Sequence, residues 1–285
     1  MMGVRELYNI TLGGLFMYKL VAIDMDGTLL NSEKQLSERN GQAIKEAVEK
    51  GAMVVISTGR GFSGIEKYLK ELGLEREGQY ALTMNGGAAY DCYTKKAITN
   101  IGIKGSDLHK IFKVNEELGL KIQAYTLDKC VALEENEYTE FERVHVGTKI
   151  EIVDFCKDIK SDDDIMKVLL MEEPEILDEK IKLIPKEIIE EYNCVKSLPM
   201  CFEILNKSCN KGIGLKELIE KLGITPDEVI AIGDECNDYE MIEFAGLGVA
   251  MGNANLKIKE IANYITDTND NDGVAKVIEK FILNN

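Results

Sequence analysis

Histidine is nearly missing from this chain of 285 residues. Only His109 and His145 occur. A zinc centre built on imidazoles needs more ligands than that, so both histidines are expected at the surface. Cysteine does not fill the gap. The seven cysteines are odd in number and form no CxxC pair or ligand-like cluster, which argues against a disulfide framework and for free thiols in a reducing, cytoplasmic compartment. No apolar run reaches the ~20 residues of a membrane span. Basic charge is also short: 34 lysines and arginines face 50 acids, for a net charge of −16. Such a surface repels nucleic acid and anionic membranes unless it carries a basic stripe, and none is present. Internal repeats and low-complexity segments are absent as well.

What is present suits a globular chain. Apolar residues make up 45% and charged residues 29%, enough to build a core. The length suggests about two domains. The acidity sets one condition on function. A site for an anionic substrate must bring its own positive charge through a metal, a lysine or backbone N–H groups.

Residues 10–23 resemble a secretion signal superficially, but Lys19 interrupts the run and no small-residue cleavage site follows. Met17 opens the stretch MYKLVAIDMDGT, a natural beginning for a strand-first domain. Gly13-Gly14 must be encoded by GGN-GGN, which resembles a ribosome-binding site read in frame just ahead of Met17. Residues 1–16 are therefore expected to be a non-native extension, with Met17 the start; the intact mass of the native protein tests this.

Short apolar runs at 20–23, 52–56, 80–84, 229–232 and 246–250 read as buried parallel strands. Helical patterns lie between them. Ser37 is a fit N-cap for a helix over 37–50 that Gly51 closes, and 61–72 and 211–222 read similarly. This alternation implies a doubly wound, Rossmann-like parallel sheet of the α/β class. Ligands of such sheets sit beyond the carboxyl ends of the strands. The middle of the chain differs. It mixes short alternating strands (122–125, 131–133, 194–197) with acidic segments, among them an expected helix over 161–170 that starts at the solvated run Asp162-Asp163-Asp164. The expected organisation is a discontinuous core, 17–87 and 201–285, holding an inserted α+β cap over 88–200.

Four stretches carry polar groups at strand ends or helix starts: Asp24-Met25-Asp26-Gly27-Thr28, Ser57-Thr58-Gly59-Arg60, Lys211 after Asn210, and Gly233-Asp234 with Asn237-Asp238. Each alone is weak, since an Asp-Gly pair is usually a turn. Their order and placement together fit phosphoryl transfer. Asp24 and Asp26 would share one side of a strand end. Asp24 would attack phosphorus and form an aspartyl-phosphate, while Asp26 would protonate the leaving alkoxide and then deprotonate water. A hard cation, Mg²⁺, would bridge Asp24, Asp234 and the phosphate, with the Asp26 carbonyl as a further ligand. Thr58 and the Gly59 N–H would hold phosphoryl oxygens, and Lys211 would offset their charge. Asn237 can bond phosphate or orient Asp234. Asp238 would lie behind these groups, where it can pair with Lys211. Gly27 permits the turn. Arg60 can contact substrate or pair with an acid, and both readings stay open.

These residues resemble the haloacid dehalogenase superfamily. Asp24-Met25-Asp26-Gly27-Thr28-Leu29-Leu30 matches its first motif, Ser57-Thr58-Gly59-Arg60 its second, Lys211 its third, and Gly233-Asp234 with Asn237-Asp238 its fourth. The branch looks like the Cof-type sugar phosphatases, with a large α/β cap between the second and third motifs. Met84-Asn85-Gly86-Gly87 also resembles that branch, which implies that Asn85 lies near the phosphate. The resemblance implies an Mg²⁺-dependent phosphatase acting on a small phosphorylated metabolite, with specificity set by the cap. The alternatives are a phosphomutase or phosphotransferase using the same intermediate, and a non-catalytic phosphate-ligand protein. Glu235 and Cys236 depart from the branch pattern, and the expected place for Glu235 is solvent. Oligomeric state and the physiological substrate are open. Gln123, Tyr125 and Glu203 are candidates to face the cleft.

Overall fold

The computed structural model describes residues 18–284. The expected extension over 1–16 and the expected start at Met17 lie outside the described residues. In chain order the strands are β1 (Leu20–Asp24), β2 (Met53–Ser57), β3 (Tyr80–Thr83), β4 (Ala88–Asp91), β5 (Lys96–Asn100), β6 (Ile103–Lys104), β7 (Lys121–Tyr125), β8 (Cys130–Ala132), β9 (Ile150–Ile152), β10 (Asp164–Ile165), β11 (Lys167–Met171), β12 (Tyr192–Leu198), β13 (Cys201–Asn206), β14 (Val229–Gly233), β15 (Leu247–Ala250) and β16 (Tyr264–Ile265).

Strand β1 explains the large sheet. Val21 and Ile23 enter one apolar cluster, and Leu20 and Ala22 enter the cluster on the opposite face. A strand buried on both faces has no use for alternation, so it reads as an unbroken apolar run. It pairs in parallel with β14 on one side and β2 on the other. The sheet runs β16-β15-β14-β1-β2-β3-β4-β5. Successive strands therefore leave β1 first in one direction and later in the other. The reversal between β1 and β14 opens a crevice at their carboxyl ends. Asp24, Ser57 and Gly233 close β1, β2 and β14 at that edge.

The first helix spans Glu38–Glu49, capped by Ser37, whose side chain accepts from the Asn40 N–H. Its buried stripe includes Ala43, Ile44, Ala47 and Val48. The segment 61–72 is less regular than expected: a short turn, Phe62–Gly64, precedes the helix Glu66–Leu72.

A second sheet, β12-β13-β11-β7-β8-β9, has its own core around Phe155, Val168, Leu170 and Ile204. This is the inserted α+β cap, but strand membership differs from the expected boundaries. Strands β4 and β5 extend the large sheet as an antiparallel hairpin on β3. The glycine-rich turn at 86–87 folds the chain back along β3 and does not end the core. At the other junction β13 forms a hairpin with β12 and belongs to the cap sheet. The strands change sheets after Asn100 and after Asn206.

The expected acidic helix over 161–170 is absent. Lys167–Met171 is instead the strand β11, fully buried and antiparallel to both β7 and β13. A short apolar run does not distinguish a buried strand from a helix by period, and pairing on both sides decided it. Asp162 and Asp163 lie in a turn, and Asp164 opens the short strand β10. Asp163 accepts from the Lys160 N–H at 2.8 Å, and Asp164 pairs with Lys104 at 2.6 Å. His109 is also not a bystander at the surface. It is half-buried, and its Nε2–H lies 2.8 Å from the Phe155 carbonyl and 3.0 Å from that of Ile159, tying two cap segments together.

Candidate active site

The crevice edge collects the predicted residues. Asp24 ends β1, and Lys211 opens the helix Lys211–Leu222, whose N-cap Asn210 accepts from the Ile213 N–H at 2.8 Å. Lys211 is fully buried. Its Nζ lies 2.5 Å from Asp24 Oδ1 and 2.6 Å from Asp238 Oδ1. Both carboxylates hold the Lys211 ammonium in its charged form against the burial that opposes it. Asp238 is fully spoken for, because its Oδ2 accepts the N–H groups of Asp234 and Glu235 at 2.9 and 3.1 Å.

Asp234, just past β14, accepts from Thr28 Oγ1 at 2.8 Å. Asp24, Asp234 and Asp238 form a single acid cluster. Burial raises the proton affinity of Asp24, and the Asp238 charge adds to it over the pull of Lys211. Burial likewise raises Asp234, with Asp238 adding and Thr28 opposing. When all are ionised, three buried carboxylates against one ammonium carry an excess of two negative charges, which one divalent cation would balance. With Asp238 committed elsewhere, Asp24 and Asp234 are the side chains free to ligate. The donor set therefore fits a hard divalent ion.

Asp26 differs from the expected placement. Strand β1 ends at Asp24, so Asp26 lies in the loop beyond it and the same-side argument does not apply. Its carboxylate is gripped by Arg60 (Nε to Oδ2 3.0 Å, one terminal nitrogen to Oδ1 2.8 Å) and by Lys34 at 3.0 Å. Burial works to raise its pKa, but these two cations outweigh it and hold Asp26 below the usual carboxylate value. It lines the same cleft as Asp24 but stands outside the acid cluster. Its part in holding a cation would be through the main-chain carbonyl. Of the two readings of Arg60, the acid pair is present, and the residue also lines the cleft.

Thr58 is buried, and its Oγ1 accepts from the Arg60 N–H at 3.2 Å. Beside it the loop after β3 carries Met84 and Asn85 at φ 52° and 54°. Such strain persists only where the surroundings impose it. Here the Asn85 N–H donates to the Thr58 carbonyl at 2.9 Å, and the Met84 N–H donates to that of Arg60 at 3.0 Å. The Asn85 side chain accepts from Asn237 Nδ2 at 3.0 Å. Thr58, Gly59, Asn85 and Asn237 thus line one wall. Glu235 is exposed, as expected, and accepts from Asn255 Nδ2 at 2.9 Å.

Two contacts were not anticipated. The Thr28 bond to Asp234 lay hidden in a turn. Asn253 donates to the Gly27 carbonyl at 2.8 Å and reaches Asp234 Oδ2 at 3.5 Å. The signal for Asn253 was available: an amide shortly after β15, at the same sheet edge.

Gly27 meets two constraints. Its φ is +93°, and a Cβ there would stand 2.4 Å from Asp234 Oδ2. Gly27→Ala is expected to cost roughly 1–3 kcal/mol in backbone strain and to push Asp234 off its position. A fall in melting temperature with weakened divalent-cation binding, read by calorimetric titration, is the expected result; unchanged affinity would count against Asp234 as a ligand.

The cleft, of about 560 Å³, runs from these groups to cap residues including Tyr125, Glu142, Lys167 and Glu203. Tyr125 and Glu203 face it as anticipated. Gln123 does not: it is buried behind, between the Met171 sulfur and the Cys130 thiol. No helix among the described residues is long and apolar enough to cross a membrane.

The profile of the haloacid dehalogenase-like hydrolases matches residues 21–278. The 5-amino-6-(5-phospho-D-ribitylamino)uracil phosphatase YcsE of Bacillus subtilis is 37% identical over 266 residues, covering 93% of this chain and 96% of its own. Phosphatase YwpJ of the same organism is 30% identical over 294 residues, covering 93% and 100%. The crystal structure of a haloacid dehalogenase-like hydrolase from Bacteroides thetaiotaomicron superposes with a TM-score of 0.83 at 33% identity, over 92% of this chain and 99% of that one. With the fold, the capped core and these relatives in agreement, the chain belongs to the haloacid dehalogenase-like hydrolases, as an enzyme of their phosphatase kind.

Proposed function

We propose that this protein is an Mg²⁺-dependent phosphatase that hydrolyses small phosphomonoesters, sugar phosphates among them, through an aspartyl-phosphate. The observation that carries this reading is the Lys211 ammonium held between Asp24 and Asp238 at the carboxyl end of the sheet. It fixes the Asp24 carboxylate and supplies positive charge where a phosphoryl group would arrive. The relative YcsE is named for a phosphorylated ribityl substrate, which favours a hydroxylated phosphomonoester here.

An Asp24 oxygen forms a bond to phosphorus as the bond from phosphorus to the alcohol oxygen breaks. Thr58, the Gly59 N–H, Lys211, Asn85 and Asn237 hold the phosphoryl oxygens. Asp26 gives its proton to the departing alkoxide, then takes one from the water that releases phosphate and restores Asp24. To reach the leaving oxygen, Asp26 must give up contact with Arg60 or Lys34, because those cations favour its charged form. Asp24, Asp234 and the Asp26 carbonyl would hold the cation, whose chemistry is to neutralise phosphate charge and draw the reacting oxygens together.

Hydrolysis of p-nitrophenyl phosphate with Mg²⁺ is the direct test. Turnover should vanish with EDTA and return with added Mg²⁺; turnover indifferent to EDTA rejects the cation's role. With a sugar phosphate, free inorganic phosphate is expected, whereas an isomerised sugar phosphate would make the enzyme a mutase.

A further inference from the structure

The cap side of the cleft holds a cluster that the transfer step does not use. Glu203 Oε1 accepts from Ser197 Oγ at 2.8 Å and from Lys167 Nζ at 3.2 Å. Its other oxygen, Oε2, is enclosed and has no donor. Glu203 is only 7% exposed and Lys167 8%. An enclosed carboxylate oxygen without a donor is uncommon, because such atoms are costly to leave bare. A second buried carboxylate, Glu142, stands in the same cleft and takes the Tyr125 hydroxyl, which also bonds Thr148 at 3.0 Å. This end of the cleft thus carries two carboxylates against one ammonium, and that ammonium is already engaged. Position 203 is also rigid. Strand β13 pairs on both sides there, with Leu169 of β11 and Val195 of β12.

We propose that Glu203, braced by Ser197 and Lys167, is a specificity-determining residue that accepts a hydroxyl of the leaving alcohol and rejects an anionic one. This rests on the phosphatase reading above. The substrates it selects are phosphomonoesters of uncharged, hydroxyl-rich alcohols. A hydroxyl that displaces the side-chain atoms enclosing Oε2 donates to it and completes the carboxylate. A second phosphate or a carboxylate on the leaving group meets the unbalanced charge of Glu203 and Glu142 instead. Unpaired or repelled charge is an effective basis for discrimination.

Sorbitol 6-phosphate and 6-phosphogluconate test this. They share an open six-carbon hydroxylated chain and differ by one carboxylate. The wild-type kcat/KM is expected to favour sorbitol 6-phosphate by about tenfold or more, and Glu203→Gln to narrow that ratio by about tenfold. A wild-type ratio near one overturns the inference, as does a Glu203→Gln ratio equal to wild type in a variant that melts normally. If the variant does not fold, the wild-type ratio decides alone. p-Nitrophenyl phosphate is the control. Turnover of it with a flat ratio removes only this inference, whereas no turnover removes the phosphatase reading and this with it.

Discussion

Asp24→Asn is expected to lower kcat for p-nitrophenyl phosphate by roughly 10⁴-fold or more, as loss of a covalent nucleophile does. The substitution keeps the shape and an oxygen that can accept from Lys211. It also removes one of three buried carboxylates clustered around a single ammonium. Asp24 is held in the folded state at a raised proton affinity, burial first and Asp238 second. Its charge therefore works against folding at neutral pH. The variant should melt at the same temperature as wild type or above it when both are measured in EDTA. Lost activity with undiminished stability marks a residue kept for chemistry at a structural cost. Residual turnover within tenfold of wild type would reject the aspartyl-phosphate.

Lys211→Met reverses that balance. The ammonium is fully buried and the only cation bonded to Asp238 Oδ1 among the described residues. Removing one partner of a buried ion pair costs about 3–5 kcal/mol, and that loss is expected in denaturant unfolding at pH 7 in EDTA. Turnover should fall by about 10²–10³-fold, as when one oxyanion-stabilising donor is lost. The pH dependence has a definite sign. Lys211 supplies the influences that lower the Asp24 pKa, so its removal raises that pKa further. An acid raised above its unfolded value stabilises the fold below the unfolded pKa, near 3.8 for Asp, and loses that contribution as pH rises through the folded value. Wild-type Asp24 is raised to about 8, so the gap between variant and wild type should shrink as pH falls from about 9 to 7, through that value. A gap that widens toward acid would show that Lys211 does not stabilise these carboxylates.

The core strands were legible because they are buried on both faces. Leu20, Val21, Ala22 and Ile23 serve two clusters at once, so the run is continuous and its ends are sharp. The helix Glu38–Glu49 was legible through its stripe and its Ser37 cap. The cap was harder to read. Lys167–Met171 is a strand because β7 and β13 flank it, and no local pattern carries that information. The hairpin β4–β5 was misplaced for a related reason: a glycine-rich turn looks the same whether the chain leaves a sheet or doubles back onto it.

The sequence by itself determined the class of chemistry. Carboxylates, hydroxyls and a lysine at the ends of apolar strands must converge once those strands pair in parallel, since a doubly wound sheet brings its carboxyl ends to one edge. It also determined that Lys211 would have an acid to answer. The tertiary structure alone decided how each charge is spent. Asp24 and Asp238 share Lys211, while Asp26, two residues along, leaves the strand and is held by Arg60 and Lys34. Pairing of charges depends on distances of a few ångströms between residues far apart in the chain, and only the packed fold sets those.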